Sequence, residues 1–189
     1  MSAPIANVIG FDDGPFDKFR RDGANVLLVG AVFARTRLDG VVSARVRRDG
    51  RNATSRMAQL VLGSQFNRHV RAVLLGGISV AGFNVVDIHA LFAALGRPVV
   101  VVARRPPRHV AIRRALEHVR GGEKKWALIE AAGPMEPVRG IYVQRVGISL
   151  ADTAALLGAT TLHGKLPEPL RVAHLIAGGV VAGVSRGRA

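Results

Sequence analysis

The stretch Asn7-Val8-Ile9-Gly10-Phe11-Asp12-Asp13-Gly14-Pro15-Phe16 decides the fold, because an apolar run leads directly into two adjacent carboxylates. Gly14 and Pro15 then end the run. A buried strand that ends in acids places them at the edge of its sheet, where a metal ion or a basic partner can reach them. Side chains alternate along a strand, so we expect Asp12 and Asp13 to point to opposite faces. The structural alternative is an ordinary Asp-Asp-Gly-Pro turn.

The composition fits a single domain over residues 1–189 that binds a polyanion. The chain is 49% hydrophobic, which is ample for a packed core. It has no cysteine, and this excludes disulfides, thiolate catalysis and cysteine zinc sites. With 27 Lys and Arg against 13 Asp and Glu, the net charge of +14 attracts nucleic acid. Adaptation for solubility is the alternative explanation of this charge.

The sequence also argues against a membrane partner and against a nucleotide cofactor. The first residues lack the basic and apolar regions of a signal peptide, and the apolar runs at 99–103 and 175–184 are too short or too rich in glycine to span a membrane. We therefore expect a cytoplasmic protein without a membrane partner. The spacing of Gly76 and Gly77 matches neither a Walker loop nor a dinucleotide fingerprint, so we expect no nucleotide cofactor.

The pattern of apolar residues predicts an α/β fold with a mixed sheet. Strands over 6–12, 24–36 and 41–48, with a turn at Leu38-Asp39-Gly40, form an antiparallel meander. Parallel strands and helices follow, so helices should cover both faces of the sheet. The predicted helices span 53–62, 84–95, 111–119, 150–157 and 167–184, the further strands span 71–75, 97–104, 126–130 and 140–145, and surface loops lie at 121–125 and 132–137.

Two further acids stand near predicted helix starts. Metal-dependent hydrolysis of a phosphodiester needs carboxylates that converge from different elements. Asp49 lies in an Asp-Gly-Arg-Asn turn, and a turn residue is its structural alternative. Asp87 follows Asn84, which we expect to be an N-cap, so Asp87 would stabilise the helix from position N3. Asp87 can nevertheless line a site, because a strand-helix junction lies at the rim of the sheet.

Most basic residues fall into groups that fit contacts with duplex phosphates. Aromatic residues make up only 5% of the chain, so stacking on unpaired bases is a minor theme. A solvated surface is the alternative for each group. The residues that we predict to contact nucleic acid are Arg47, Arg48, Arg51, Arg105, Arg108 and Arg171.

Three blocks of sequence resemble the archaeal endonuclease dU family, which is similar to endonuclease V and shares its ribonuclease H-like fold. They are GFDDGPF from Gly10, GFNVVDIHALF from Gly82 and LPEPLRVAHLIA from Leu166. The resemblance extends over nearly the whole chain. It implies a metal-dependent endonuclease of DNA repair that acts on deaminated, uracil-containing DNA.

The resemblance also assigns roles to single residues. Asp12 matches the catalytic aspartate of the first strand, and His174 matches a metal-site position on the last helix. Arg104 stands where endonuclease V has a lysine beside the scissile phosphate. Asn52 and Gly76 stand where a helix-start acid and a central-strand aspartate are expected, so two carboxylates are missing.

From these observations we expect Asp12, Asp49, Asp87 and His174 to bind one or two Mg²⁺ or Mn²⁺ ions that activate water. Arg104 would stabilise the charge that develops on the phosphate. The partner is DNA, with RNA as an alternative. The competing hypothesis, motivated by Asn52 and Gly76, is a nucleic-acid-binding domain of the same fold without catalysis.

Overall fold

A seven-stranded mixed sheet carries the strand that contains Asp12 near its centre. The computed structural model describes residues 5–17 and 25–185. The strand order is β3-β2-β1-β4-β7-β9-β8, and a two-stranded ribbon of β5 and β6 stands apart. The elements are β1 Asn7–Asp13, β2 Asn25–Ala34, β3 Arg37–Arg47, α1 Ala53–Leu62, β4 Ala72–Leu75, β5 Ser79–Val80, β6 Asn84–Val85, α2 Ile88–Leu95, β7 Val99–Ala103, α3 His109–Leu116, α4 Gly122–Ala131, β8 Glu136–Val138, β9 Ile141–Val146, α5 Leu150–Thr160 and α6 Glu168–Ala182.

The sheet confirms the predicted α/β class and the antiparallel meander. β1 pairs antiparallel with β2, β2 pairs antiparallel with β3, and β1 pairs parallel with β4. The predicted turn at Leu38-Asp39-Gly40 is wrong, because these residues lie in β3. The chain turns earlier, where Arg35 adopts a positive φ of 55° and its amide donates a hydrogen bond to the carbonyl of Ala6.

Helices cover both faces of the sheet, and β1 alternates between the two cores. Ile9 and Phe11 belong to the core shared with α1 and α2, whereas Val8 belongs to the core shared with α5 and α6. By this alternation Asp12 lies on the α6 side and Asp13 on the opposite side. The sequence pattern therefore predicted correctly that the two aspartates separate.

Several short elements differ from the predictions. Residues 126–130 form part of helix α4 instead of a strand, since Lys125 and Ile129 are buried one helical turn apart. The predicted loop at 121–125 contains the start of that helix, and part of the predicted loop at 132–137 forms β8. The helix predicted from residue 84 begins only at Ile88, because Asn84 and Val85 pair with β5.

Gly10 lets α6 approach β1 closely beneath the site. A Cβ at this position would lie 2.5 Å from the backbone carbon of Pro169. We expect Gly10→Ala to lower the free energy of unfolding by about 2 kcal/mol, because the clash is with backbone that cannot move aside. Urea unfolding measures this loss.

Gly179→Ala is the matched control on α6. A Cβ there meets no atom within 4 Å, so alanine should raise the free energy of unfolding by about 0.5–1 kcal/mol through helix propensity. Equal stability of the two variants would show that the contact between β1 and α6 is looser than described.

Candidate active site at the end of the first strand

Asp12 and His174 form a contact between the end of β1 and the middle of α6. His174 Nδ1 lies 2.8 Å from Asp12 Oδ2. An ionised carboxylate can only accept, so in this contact the imidazole donates from Nδ1. The Asp13 amide donates to Asp12 Oδ1 at 3.0 Å. The side chains of His174 and Asp12 remain 40% and 21% exposed, so a ligand can reach both.

The pair stands where two hollows meet. The larger, of about 640 Å³, is lined by the turn from Gly14 to Phe16 and by one face of α6 that includes Gly178 and Ala182. The smaller, of about 350 Å³, is lined by Gly76, Gly77 and Arg104. Asp12 and His174 line both hollows. The pair lies where the two hollows adjoin, and we refer to the two hollows together as the cleft.

Burial acts on the charge of Asp12. It raises the pKa of the Asp12 carboxyl, while the hydrogen bond from the Asp13 amide and the attraction of His174 lower it. Partial burial removes water that would otherwise stabilise the negative charge of this carboxylate. Such a group gains from a cation or a proton donor brought by a ligand.

Asp13 serves the opposite side of the sheet. Its Oδ2 accepts a hydrogen bond of 2.9 Å from the amide of Ala81, whose φ is 49°. The pKa of Asp13 is raised to about 6: burial is the main cause, the hydrogen bond from Ala81 opposes it, and the charge of Asp12 adds to the rise. Asp13 therefore anchors the segment that follows β5, and it also borders the larger hollow beside Asp12.

This raised pKa predicts that the protein loses stability as the pH rises. The folded state binds the Asp13 proton more tightly than the unfolded state, whose carboxyl titrates near 3.8. The free energy of unfolding should therefore fall by an amount on the order of 2 kcal/mol between about pH 4 and pH 7. Chemical unfolding of wild type and Asp13→Asn across this range isolates the effect. A difference between the two proteins that does not change with pH would contradict it.

Asp49 holds the same segment from another direction. Its φ is 48°, its Oδ1 accepts from the amide of Phe83 at 2.8 Å, and its own amide donates to the carbonyl of Ala81 at 2.9 Å. Its Oδ2 lies 3.2 Å from Arg48 Nε. Asp49 lines neither of the hollows that meet at Asp12. Its contacts are those of a loop anchor, so the structure does not bring it to the predicted metal cluster.

Asp87 caps helix α2. Its Oδ1 accepts from the amide of Ala90 at 2.8 Å, and it occupies the N-cap position instead of the predicted N3. Asn84, predicted as that cap, is fully buried and bonds to the amide of Ala53 at the start of α1. Asp87 lines a separate cavity that does not include Asp12. The structure therefore does not bring Asp87 to Asp12 either.

Replacing Asp87 should consequently affect folding more than chemistry. We expect Asp87→Ala to lower the free energy of unfolding by about 1 kcal/mol, the usual cost of a lost N-cap. Asp87→Ser, which keeps a capping oxygen, should recover most of it. If instead Asp87→Ala abolished nucleic-acid cleavage at unchanged stability, a direct role in chemistry would replace the capping role.

Gly76 and Asn52, the two positions that lack an expected acid, lie in different places. A Cβ on Gly76 would lie 3.7 Å from Asp12 Oδ1, so this position borders the candidate site and leaves it open. Asn52 Oδ1 instead accepts from the amide of Arg47 at 3.1 Å and from Asn84 Nδ2 at 2.9 Å. Asn52 therefore joins the network that holds the start of α1.

The predicted basic residues divide between an exposed surface and internal pairing. Arg104 lines the smaller hollow and is exposed, and Arg105 and Arg108 continue this exposed segment toward α3. Arg171 is different, because its Nη2 lies 2.6 Å from the carboxylate of Glu168, which is only 4% exposed. Arg171 therefore neutralises a buried acid. Of the remaining predicted contacts, Arg47 and Arg51 are exposed, while Arg48 pairs with Asp49.

The donor atoms at the pair fit one divalent cation, and they do not fit a pair of cations held by protein alone. Asp12 supplies a carboxylate with unused acceptor capacity, and His174 can bind the same ion through Nδ1 in place of the hydrogen bond between the two side chains. Mg²⁺ is commonly held by one or two carboxylates, with water and substrate phosphate oxygens as its other ligands. Within residues 5–17 and 25–185, no three His, Asp or Glu side chains converge to hold a metal.

The lining of the larger hollow was not predicted from the sequence. His174, Gly178 and Ala182 follow one another at intervals of four residues and so share one face of α6. That spacing was available in the sequence, and it marks the small residues that leave room beside the histidine. The contribution of Phe16 depends on tertiary packing, and no local pattern indicated it.

Comparison with known proteins shows the family to which this chain is related. The family model described as endonuclease dU matches residues 4–181. A UPF0215 protein of Deinococcus radiodurans is 55% identical over 185 residues, which are 97% of this chain and 93% of the relative. A UPF0215 protein of Pyrococcus furiosus is 40% identical over 182 residues, covering 94% of this chain and 93% of the relative.

Solved structures agree with this placement. A protein of unknown function from Archaeoglobus fulgidus superposes with a TM-score of 0.86 at 30% identity, covering 93% of this chain and 98% of the other. Human endonuclease V superposes with a TM-score of 0.55 at 16% identity, covering 92% and 83%, which shows a shared fold. Endonuclease V of Ciona intestinalis, solved with inosine-containing DNA, gives 0.56 at 15% identity, covering 89% and 82%. No helix of the described segments is long and apolar enough to cross a membrane. The family match supports a nuclease that acts on DNA, and the chain belongs to the endonuclease dU family.

Proposed function

We propose that this protein is a divalent-metal-dependent endonuclease that cleaves DNA at or near deaminated bases, with uracil as the preferred lesion. The observation that carries the proposal is the 2.8 Å contact between Asp12 and His174 where the two hollows of the cleft adjoin. The description of the family as endonuclease dU supports the choice of uracil. The net charge of +14 supports a polyanionic substrate.

The residues that line the smaller hollow suggest how a phosphodiester is held. Gly76 and Gly77 have no side chains, so a phosphate can approach their backbone beside Asp12. Arg104 lines the same hollow and is placed to pair with a phosphate oxygen and to stabilise the charge that develops there. Arg105 and Arg108 are exposed on the segment that follows Arg104, where they would contact neighbouring phosphates of the DNA strand.

Asp12 and His174 are the residues that would hold Mg²⁺ or Mn²⁺. Such an ion supplies a stronger nucleophile at neutral pH and stabilises negative charge on the phosphate. The contact with Asp12 fixes the orientation of the imidazole, which directs Nε2 away from the carboxylate. His174 can keep this contact and exchange a proton at Nε2 with the leaving oxygen, or it can join Asp12 on the ion through Nδ1 in place of their hydrogen bond.

Cleavage assays on defined duplexes test the proposal. The protein is incubated with duplexes that contain one uracil, one inosine or no lesion, with Mg²⁺ or Mn²⁺ and separately with excess chelator. We expect the uracil duplex to be cut fastest, and only when the metal is present. Cutting of all three duplexes at one rate would refute the lesion preference, and unchanged cutting in chelator would refute the metal requirement.

A second candidate is a nucleic-acid-binding domain without catalysis. The observation that favours it is the engagement of Asp49 and Asp87 in loop anchoring and helix capping, which leaves Asp12 without the two acidic partners that were predicted for it. This candidate predicts binding that weakens steeply with monovalent salt and does not respond to metal. Calorimetric titration of DNA, then of RNA, with and without Mn²⁺ separates it from the nuclease.

A further inference from the structure

A third cavity lies away from the Asp12 site, where the first turns of α1, α2 and α4 meet. Its volume is about 430 Å³. Ala58, on its wall, belongs to the core on the α1 and α2 side of the sheet, whereas His174 approaches Asp12 from α6 on the other side. The cavity shares no lining residue with the two hollows at Asp12.

The charged and polar lining of this cavity favours an anion. Three cations, Arg51, Lys124 and Lys125, line it together with the hydroxyl residues Thr54 and Ser55. Asp87 is the one acidic side chain in the lining, and it already caps α2. Three positive charges against one negative charge leave a local charge of about +2, which matches a phosphate monoester better than a singly charged diester.

Lys125 is a buried cation with little compensation. It is 1% exposed, and its Nζ donates to the backbone carbonyl of Asp49 at 2.5 Å. An ammonium has three donors, so this contact leaves capacity for a ligand. Burial lowers the pKa of Lys125, the charge of Asp49 opposes this, and the positive charge of Arg51 lowers it further. An anion in the cavity would compensate both cations.

The rest of the lining favours an organic group beside the phosphate. Val85, Ala90 and Leu128 contribute apolar surface next to the cationic residues. A cavity that combines an apolar wall with a few convergent charges is typical of small-molecule sites. We propose that this cavity binds the phosphate monoester of a nucleotide, either a free mononucleotide or the 5′ end of a nucleic-acid strand.

Binding measurements without divalent metal test this site separately from cleavage. The probes are thymidine 5′-monophosphate, thymidine, and one lesion-free oligonucleotide prepared with a 5′-phosphate and with a 5′-hydroxyl. We expect Arg51→Ala and Lys124→Ala each to weaken binding of the phosphorylated probes about tenfold, the effect of losing one charge-assisted hydrogen bond. Arg68→Ala, which changes an exposed cation outside the cavity, should bind as the wild type does.

The two sources of the monoester give different patterns. An effect on both phosphorylated probes supports a site for free mononucleotides, and an effect on the oligonucleotide alone supports a site for strand ends. Amide chemical shifts of Thr54, Ser55 and Lys124 on addition of thymidine 5′-monophosphate or the phosphorylated oligonucleotide locate the ligand in the wild type, so the test does not depend on the folding of a Lys125 variant. Equal affinity for phosphorylated and hydroxyl probes, or unchanged affinity in Arg51→Ala and Lys124→Ala, would overturn the proposal.

Discussion

Asp12→Asn should lower the single-turnover rate of cleavage of uracil-containing duplex by about a thousandfold or more, because it removes the carboxylate that lines both hollows of the cleft and contacts His174. Folding should not suffer. Burial raises the pKa of Asp12, so its charge opposes folding, and a neutral amide of the same shape keeps the hydrogen bond from the Asp13 amide. Rapid-quench kinetics measure the rate, and urea unfolding measures the stability.

Asp13→Asn is the matched control for this substitution. Asp13 is the next residue in the chain, but its carboxylate faces the other side of the sheet and accepts from Ala81. An asparagine oxygen can still accept that bond, so cleavage should stay within about threefold of wild type. A loss of cleavage in Asp13→Asn as large as that in Asp12→Asn would mean that the two aspartates act together in the chemistry.

Arg104→Ala should lower the rate of the chemical step by about a hundredfold, since removing one positioned donor to a developing charge typically costs this much. Arg104 lines the hollow that also contains Asp12 and Gly76. The loss should persist at saturating DNA, because it affects the transition state and not only the capture of substrate. Single-turnover rates at increasing protein concentration separate the two effects.

Arg105→Ala supplies the comparison for Arg104. Arg105 is the next residue, is exposed and does not line that hollow. Its loss should weaken DNA binding modestly and reduce the dependence of binding on salt, without changing the rate at saturation. If the two variants lost the same rate at saturation, Arg104 would be one of many phosphate contacts and would have no special place in the site.

Local sequence patterns predicted the parts of the site that depend on one element. The alternation along β1 separated Asp12 from Asp13, and the apolar pattern identified the long last helix. The contact between Asp12 and His174 joins residues that are 162 positions apart. No periodicity can indicate such a contact, and only the family resemblance pointed to the histidine.

The acids expected to join Asp12 show why residue type alone is a weak guide. Asp49 and Asp87 stand near helix starts, as metal ligands often do, but a carboxylate there also satisfies backbone amides. The amides of Phe83 and Ala90 bind them in this structure. For Asp49 the role depends on its positive φ, and for Asp87 it depends on the pairing of β6, because that pairing moves the start of α2 to Ile88. Neither feature has a clear local signal.

The dependence of cleavage on Mn²⁺ concentration tests the central claim most directly, namely that Asp12 and His174 support cleavage with one divalent cation. Single-turnover cleavage of the uracil duplex is measured from chelator to saturating Mn²⁺ in wild type, Asp12→Asn and His174→Ala. We predict a simple hyperbolic dependence for wild type, a weakened metal response for His174→Ala and no metal-dependent cleavage for Asp12→Asn. Equal, metal-dependent cleavage by wild type and Asp12→Asn would contradict the account.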